Sequence, residues 1–366
     1  MPIKSKTLLL VLVGFCFFSC SSTEGEGSIK TIDFSSPQLI DEDIQDWIQI
    51  QNTTQLAIPD SITIGRITQV EFTDSGIIML EMGVTPSILV FDREGGFKDR
   101  ISRVGNGPGE YAQIEFVVLR ESSILVYDRS QKKFIDYSLA DFSQFEESKS
   151  PDYFMGGLGS LPGDRLFLVS DSELEAELYK GYGYFNSDLT ENGFEPQFSG
   201  YVEAFLPQSI SYFGEYPYMV QPFSEKVFQI GKDSLTYAFQ IDFGAKTIPK
   251  EASELMDAEE FYKILGSGSY YFAIHNLLKK GDSVAFNFYN ENIDNLNFGL
   301  IQNGQAYRFS IDSDLKEFFL KPTAVREDLF HTVLLPGEYD EEVIELLNLT
   351  EVDYEKPILV SYFIGK

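Results

Sequence analysis

From about Ile62 onward, apolar and polar residues alternate in short runs. Ile67–Phe72, Ile77–Leu80, Ile88–Phe91, Ile124–Tyr127, Arg165–Val169, Lys226–Ile230, Ser234–Ile241, Ser283–Phe288 and Gly299–Gln302 are rich in Ile, Val, Phe and Tyr. Runs of that length and composition, bounded by turn residues, predict β-strands. Asp74-Ser75-Gly76, Arg93-Glu94-Gly95-Gly96 and Asn303-Gly304 stand between such runs as hairpin connections. Strands this close together, joined by tight turns, predict antiparallel β: a sandwich, a barrel or a propeller. Two stretches change period. Pro249–Leu265 opens on Pro and places Leu255, Phe261, Ile264 and Leu265 at helical spacing, and Asp340–Leu347 does the same more briefly. Both predict short helices inserted between sheets.

An internal repeat selects the propeller. Ser87–Arg93 reads SILVFDR and Ser123–Arg129 reads SILVYDR, 36 residues later, with Phe97 and Asp99 echoed by Phe134 and Asp136. That offset approaches the roughly 40–50 residues of a four-stranded propeller blade. A unit of this size cannot bury both faces of its sheet alone, so units stack around an axis. Six units follow, near 62–101, 112–147, 151–195, 205–245, 270–312, and 323–335 with 356–364. The last requires the apolar strand Pro357–Ile364 and a segment from the other end of the chain, such as Gln55–Ile58, to close the ring. The expected fold class is all-β: a six-bladed β-propeller over 31–366 with short helical insertions.

The N-terminus reads as an export signal. Lys4 and Lys6 precede the unbroken apolar run Leu8–Phe18, which suits a secretory signal and is shorter than the roughly 20 residues a spanning helix needs. Ser19, a small residue, stands directly before Cys20, with Phe17 three positions upstream of the cysteine. This predicts a lipoprotein signal peptide over 1–19, cleavage between Ser19 and Cys20, and lipidation of Cys20, including a palmitate-type acyl chain. A small, polar, Gly-containing tether would cover 20–30. Cys16 leaves with the signal, so the mature chain has no cysteine pair for a disulfide. The formal net charge is −29, or −31 once Lys4 and Lys6 are removed. Such a surface repels polyanions, which excludes a nucleic-acid partner.

The stretch Arg103–Tyr111 (RVGNGPGEY), following Val90–Phe97 (VFDREGGF), resembles the G-x-G-P-G-E-Y signature of the six-bladed β-propeller lipoproteins of Gram-negative bacteria. The short apolar strand after Pro357 is similar to that family's last strand. The resemblance implies an NHL-like propeller, a lipid anchor on the outer membrane, and usually no enzymatic activity. From the residues themselves, Gly105, Gly107, Pro108, Gly109, Glu110 and Tyr111 form a structural loop. The glycines permit tight turns, Glu110 can accept N–H bonds, and Tyr111 can plug between blades. No Lys-Ser or Lys-Thr follows the glycines, so this is no phosphate loop.

Catalytic chemistry is harder to place. His275 and His331 are the two histidines and share no metal-ligand spacing. Neither accompanies a G-x-S-x-G elbow. The acidic turns Asp312-Ser313-Asp314 and Asp41-Glu42-Asp43 lack a calcium-loop pattern. No catalytic residue, metal site or cofactor is predicted. The aromatic segment 201–223 is the candidate ligand site, through Tyr212, Phe213, Tyr216 and Tyr218, because tyrosines in loops offer flat amphipathic faces to sugars or peptides. The expectation is a non-catalytic binding or assembly module of the cell envelope, taking a peptide, protein or glycan. The alternative is a propeller enzyme, a glycoside hydrolase, polysaccharide lyase or lactonase, using carboxylates and Tyr at the channel mouth.

Overall fold

The structure is a computed structural model, and it describes residues 30–153, 155–174, 177–196, 210–214, 216–220, 223–253 and 258–366. The signal peptide, Cys20 and residues 20–29 of the tether lie outside the described residues, as do Tyr201 and Phe205 of the aromatic segment. Lys30, read as tether, is the first residue of a strand.

Six sheets make up the fold. Blade 1 contains Ile67–Thr73, Gly76–Glu81, Ser87–Asp92 and Phe97–Ile101. Blade 2 contains Phe116–Leu119, Ser123–Asp128, Lys133–Ser138 and Phe145–Lys149. Blade 3 runs from Met155–Leu161 to Glu191–Pro196, blade 4 from Ile210–Ser211 to Leu235–Asp242, and blade 5 from Tyr271–Lys280 to Gln305–Ser310. Blade 6 combines Ala324–Arg326, Leu329–Leu334 and Ile358–Ile364 with Ile48–Gln55 as its outer strand. The first strands of neighbouring blades approach one another and surround the axis. The molecule is a six-bladed β-propeller.

The alternation in each central strand serves two interfaces at once. In Ser123–Asp128, Ile124 and Val126 pack toward blade 1, while Leu125 and Tyr127 pack toward blade 3. In Ser87–Asp92, Ile88 faces blade 2, while Leu89 and Phe91 face blade 6. Both faces are buried, which is why these strands read as continuous apolar runs.

Their likeness does not mark equivalent places. Ser87–Asp92 is the third strand of its blade, whereas Ser123–Asp128 is the second of the next. The true partner of Ser123 is Gly76, 47 positions upstream. The 36-residue repeat is therefore one strand out of register. Second and third strands are both paired on two edges and sandwiched between blades, so the same sequence suits either.

Ring closure also differs from expectation. The strand that completes blade 6 is Ile48–Gln55, not 55–58, and it pairs antiparallel with Ile358–Ile364. Leu56 and Ile58 instead fill the seam between blades 6 and 1. Two further strands were not foreseen. Lys30–Asp33 lies parallel to the outer strand of blade 4, and Gln38–Ile40 parallel to that of blade 5. The N-terminal segment thus wraps three successive blades before the first one begins. Phe34 pins it, fully buried against Phe243, Phe286 and Phe288. Trp47 does so again, edge-on to Tyr307 and Phe309.

The predicted helix over 249–265 has helical turns at Lys250–Ser253 and Ala258–Ser267. Glu341–Leu346 is capped by Asp340, which accepts from the N–H groups of Glu342 and Val343. An unforeseen helix, Asp314–Leu320, starts where acidic turn residues were read, with Ser313 as its N-cap.

Candidate functional site

Side chains from the inner strands cross the channel. Glu71 lies within the first strand of blade 1, and Arg326 ends that of blade 6. Arg326 donates to both carboxylate oxygens of Glu71, from Nε at 2.7 Å and from Nη2. The guanidinium lies 3.9 Å from the centre of the Tyr212 ring, which comes from blade 4. Tyr212 Oη in turn accepts the backbone N–H of Ser160 in blade 3 at 2.8 Å. Gln69 bonds Glu71 Oε1 at 2.8 Å and exchanges two bonds with the main chain of Val117 in blade 2. Blades 1, 2, 3, 4 and 6 are joined by this one chain of contacts.

His331 supports it from behind. Its Nε2 meets the Arg326 carbonyl at 3.0 Å, so that nitrogen carries the proton, and Nδ1 accepts from the Ser361 hydroxyl at 2.9 Å. Burial lowers its pKa to about 4. Burial raises the Tyr212 phenol above its ordinary range, with Arg326 opposing the shift. The cluster therefore holds one paired carboxylate, one guanidinium, a neutral phenol and a neutral imidazole at neutral pH.

Above the cluster, on the face that carries the turns between first and second strands, lies a cavity of about 320 Å³. Ser160, Leu161, Asp164, Arg120, Tyr212 and Tyr216 line it. Its turns are fixed by the Glu121 N–H donating to Asp164 Oδ1 at 2.7 Å and the Gly214 N–H donating to Asp328 Oδ1 at 3.0 Å. The candidate tyrosines separate here. Tyr212 and Tyr216 reach the cavity. Phe213 is buried and stacks on Tyr218 at 4.2 Å, and Tyr218 also receives a bond from Gln229, so this pair packs blade 4.

The glycine-rich loop lies between blades 1 and 2. Glu110 Oε2 accepts the Gly107 N–H at 2.8 Å, and a Cβ on Gly105 would collide with the same carboxylate. Gly109 has φ +68° and rests against the Phe145 ring. Pro108 stands between these two glycines. Tyr111 is fully buried; its hydroxyl bonds the Pro86 carbonyl at 2.8 Å and accepts the Arg103 N–H at 3.1 Å. Tyr137 Oη donates to the Gly109 carbonyl at 2.8 Å, tying the loop to blade 2.

His275 is buried, stacked on Tyr289 and bonded to the Ala273 carbonyl, and its pKa is also lowered to about 4 by burial. Asp312 pairs with Lys316, and Asp43 caps the Gln45 N–H. No cluster able to hold a metal ion occurs among the described residues. Sequence reasoning named Tyr212 but missed Glu71, Arg326, Gln69 and Ser160. No local pattern marks them, because Glu71 and Arg326 stand 255 positions apart.

The family described as "Domain of unknown function (DUF4934)" matches residues 38–360. No protein with a curated description matches the chain. A Bacteroides fragilis NCTC 9343 protein described as exported is 18% identical, with a TM-score of 0.73 over 92% of this chain and 100% of its own. Virginiamycin B lyase from Staphylococcus aureus is 13% identical, with a TM-score of 0.39 over 73% of this chain and 75% of its own. At these identities the first shares the fold, and the second supports no argument.

Proposed function

The chain belongs to the DUF4934 family, and from that premise we propose that it is a non-catalytic binding module of the cell envelope. It takes a peptide, protein or glycan ligand at the mouth of its channel. The observation that carries this is the state of the channel groups. Glu71 and Arg326 bond each other, Tyr212 holds the Ser160 N–H beneath the Arg326 guanidinium, and His331 is taken up by the Arg326 carbonyl and the Ser361 hydroxyl, which makes a rigid floor rather than a free acid, base or nucleophile. Above that floor, Tyr216 and the turns of blades 2 and 3 form a concave surface of a size suited to ligands.

The module is a lipoprotein of the Gram-negative outer membrane, lipidated at Cys20, of the propeller kind that Gly105–Tyr111 resembles. Its ligand site faces the membrane side. Lys30–Asp33 runs parallel to the outer strand of blade 4, so the chain enters on the same face as the cavity. The ten residues from Cys20 to Ile29 reach at most about 35 Å. A protein of the same fold that is described as exported supports a location outside the cytoplasm.

Two measurements test the proposal. Cys20→Ser should abolish incorporation of labelled palmitate and release the chain from membranes; unchanged incorporation would remove the anchor. Affinity capture of the anchored protein from its own cells should return a ligand whose retention falls with Tyr216→Ala. Chemical conversion of that ligand by the purified chain would overturn the non-catalytic reading.

A further inference from the structure

The mouth cavity borders a second one of about 720 Å³, and the two share Arg120 and Asp164 in their walls. Together they form a groove from Tyr216 across the turns of blades 2 and 3. The far section is hydroxyl-rich, with Ser122, Ser123, Ser138, Ser143 and Ser187 joined by Gln144. We propose that this groove binds a neutral oligosaccharide. The inference rests on the binding-module reading and supplies its ligand class.

Three features select that chemistry. First, the groove opens with a half-buried tyrosine beside Pro217, and a tyrosine ring accepts the C–H face of a pyranose while its hydroxyl stays polar. Second, the wall is rich in small polar side chains: Ser122, Ser123, Ser138 and Ser143 bring hydroxyls and Gln144 an amide, while Arg120, only 9% exposed, holds Asp136 and the Ser187 carbonyl and so fixes the wall between blades 2 and 3. Sugar hydroxyls, each donor and acceptor at once, suit a wall of mixed hydroxyl, amide and carboxylate groups. Third, the charges around the groove select against acidic sugars. Glu121, Asp164 and Glu146 are carboxylates, and the one cation in the wall among the described residues, Arg120, is tied to Asp136. A carboxylate accepts adjacent hydroxyls but repels a uronate or sialate. The groove also crosses strand ends and turns rather than following an open sheet edge, so an extended peptide finds no main-chain ladder to join.

The test uses the full lipidated chain in detergent, titrated calorimetrically with soluble glucan, mannan, xylan and galactan oligosaccharides. Oligogalacturonate and a lysine-containing peptide library are run beside them. The expected result is saturable binding of at least one neutral oligosaccharide and none of oligogalacturonate. Tyr216→Ala should weaken it about tenfold, or ~1.4 kcal/mol, Tyr216→Phe should leave it nearly intact, and Ser122→Trp should block it. Both residues are surface-facing, so a thermal melt matching the parent shows that a loss reflects the site. Binding of no neutral sugar, equal binding of oligogalacturonate, or indifference to both Tyr216→Ala and Ser122→Trp would overturn the proposal. Peptide binding that falls with those variants would overturn the sugar assignment and leave the binding module standing. Sugar cleavage would instead overturn the non-catalytic reading.

Discussion

Arg326 and Glu71 are each more than four-fifths buried and form an ion pair there. Removing one partner leaves an uncompensated buried charge, so Arg326→Met or Glu71→Leu should each cost about 3–5 kcal/mol in urea unfolding. The double replacement should cost less than the sum, because no orphaned charge remains; additivity would show that the pair is not coupled. The two histidines give a pH signature. Both are held neutral in the fold, with pKa values near 4 against an ordinary 6.5. Below pH 6.5 the unfolded chain takes up protons that the folded chain does not, so stability falls as pH drops from about 6.5 toward 4. His331→Gln and His275→Gln should each flatten that slope; unchanged slopes in denaturant titrations across this range would show that the imidazoles do not drive it. Tyr111 spends its hydroxyl on three main-chain partners in and around its loop. Tyr111→Phe should therefore lower stability by about 1–3 kcal/mol without changing the secondary structure seen by circular dichroism.

The N-terminal segment acts as a strap, because its aromatic residues fill pockets between blades that the blades do not fill themselves. Phe34 stands in a cluster of four aromatic rings contributed around blades 4 and 5. Phe34→Ala should cost about 3–5 kcal/mol and expose the outer edge of blade 4 to proteolysis. Cleavage elsewhere, with blade 4 intact, would refute that role. The strap was also the least legible element. Lys30–Asp33 and Gln38–Ile40 are four and three residues long, too short for periodicity, and their partners lie some two hundred positions or more downstream. The central strands were legible for the opposite reason. Ser87–Asp92 and Ser123–Asp128 carry apolar side chains to two blade interfaces at once, so their sequences are constrained at nearly every position. That same constraint made a third strand read like a second strand, and the repeat slipped by one.

The whole ring depends on one strand from the far end of the chain. Ile48–Gln55 supplies the outer edge of blade 6 and pairs along the full length of Ile358–Ile364. A chain beginning at residue 42 should keep the closed ring, with reduced stability, while one beginning at residue 56 should lose cooperative unfolding and aggregate through the bared strand. A melt at 56 as sharp as the parent's would refute closure by this strand. The six blades, their approximate limits and the need for a closing strand were all readable from the sequence, because alternation and turn chemistry are local. The channel cluster was not. Glu71, Tyr212 and Arg326 belong to three blades, and each looks like an ordinary strand or turn residue in its own surroundings. Tyr212 and Phe213 are neighbours in sequence, yet one reaches the cavity and the other packs under Tyr218. The sequence alone determined the inner strands of the blades and the number of blades, since each of those strands carries its own periodicity. Only the tertiary structure decided which ends met across the axis, because closing the ring brings together residues that share no sequence neighbourhood.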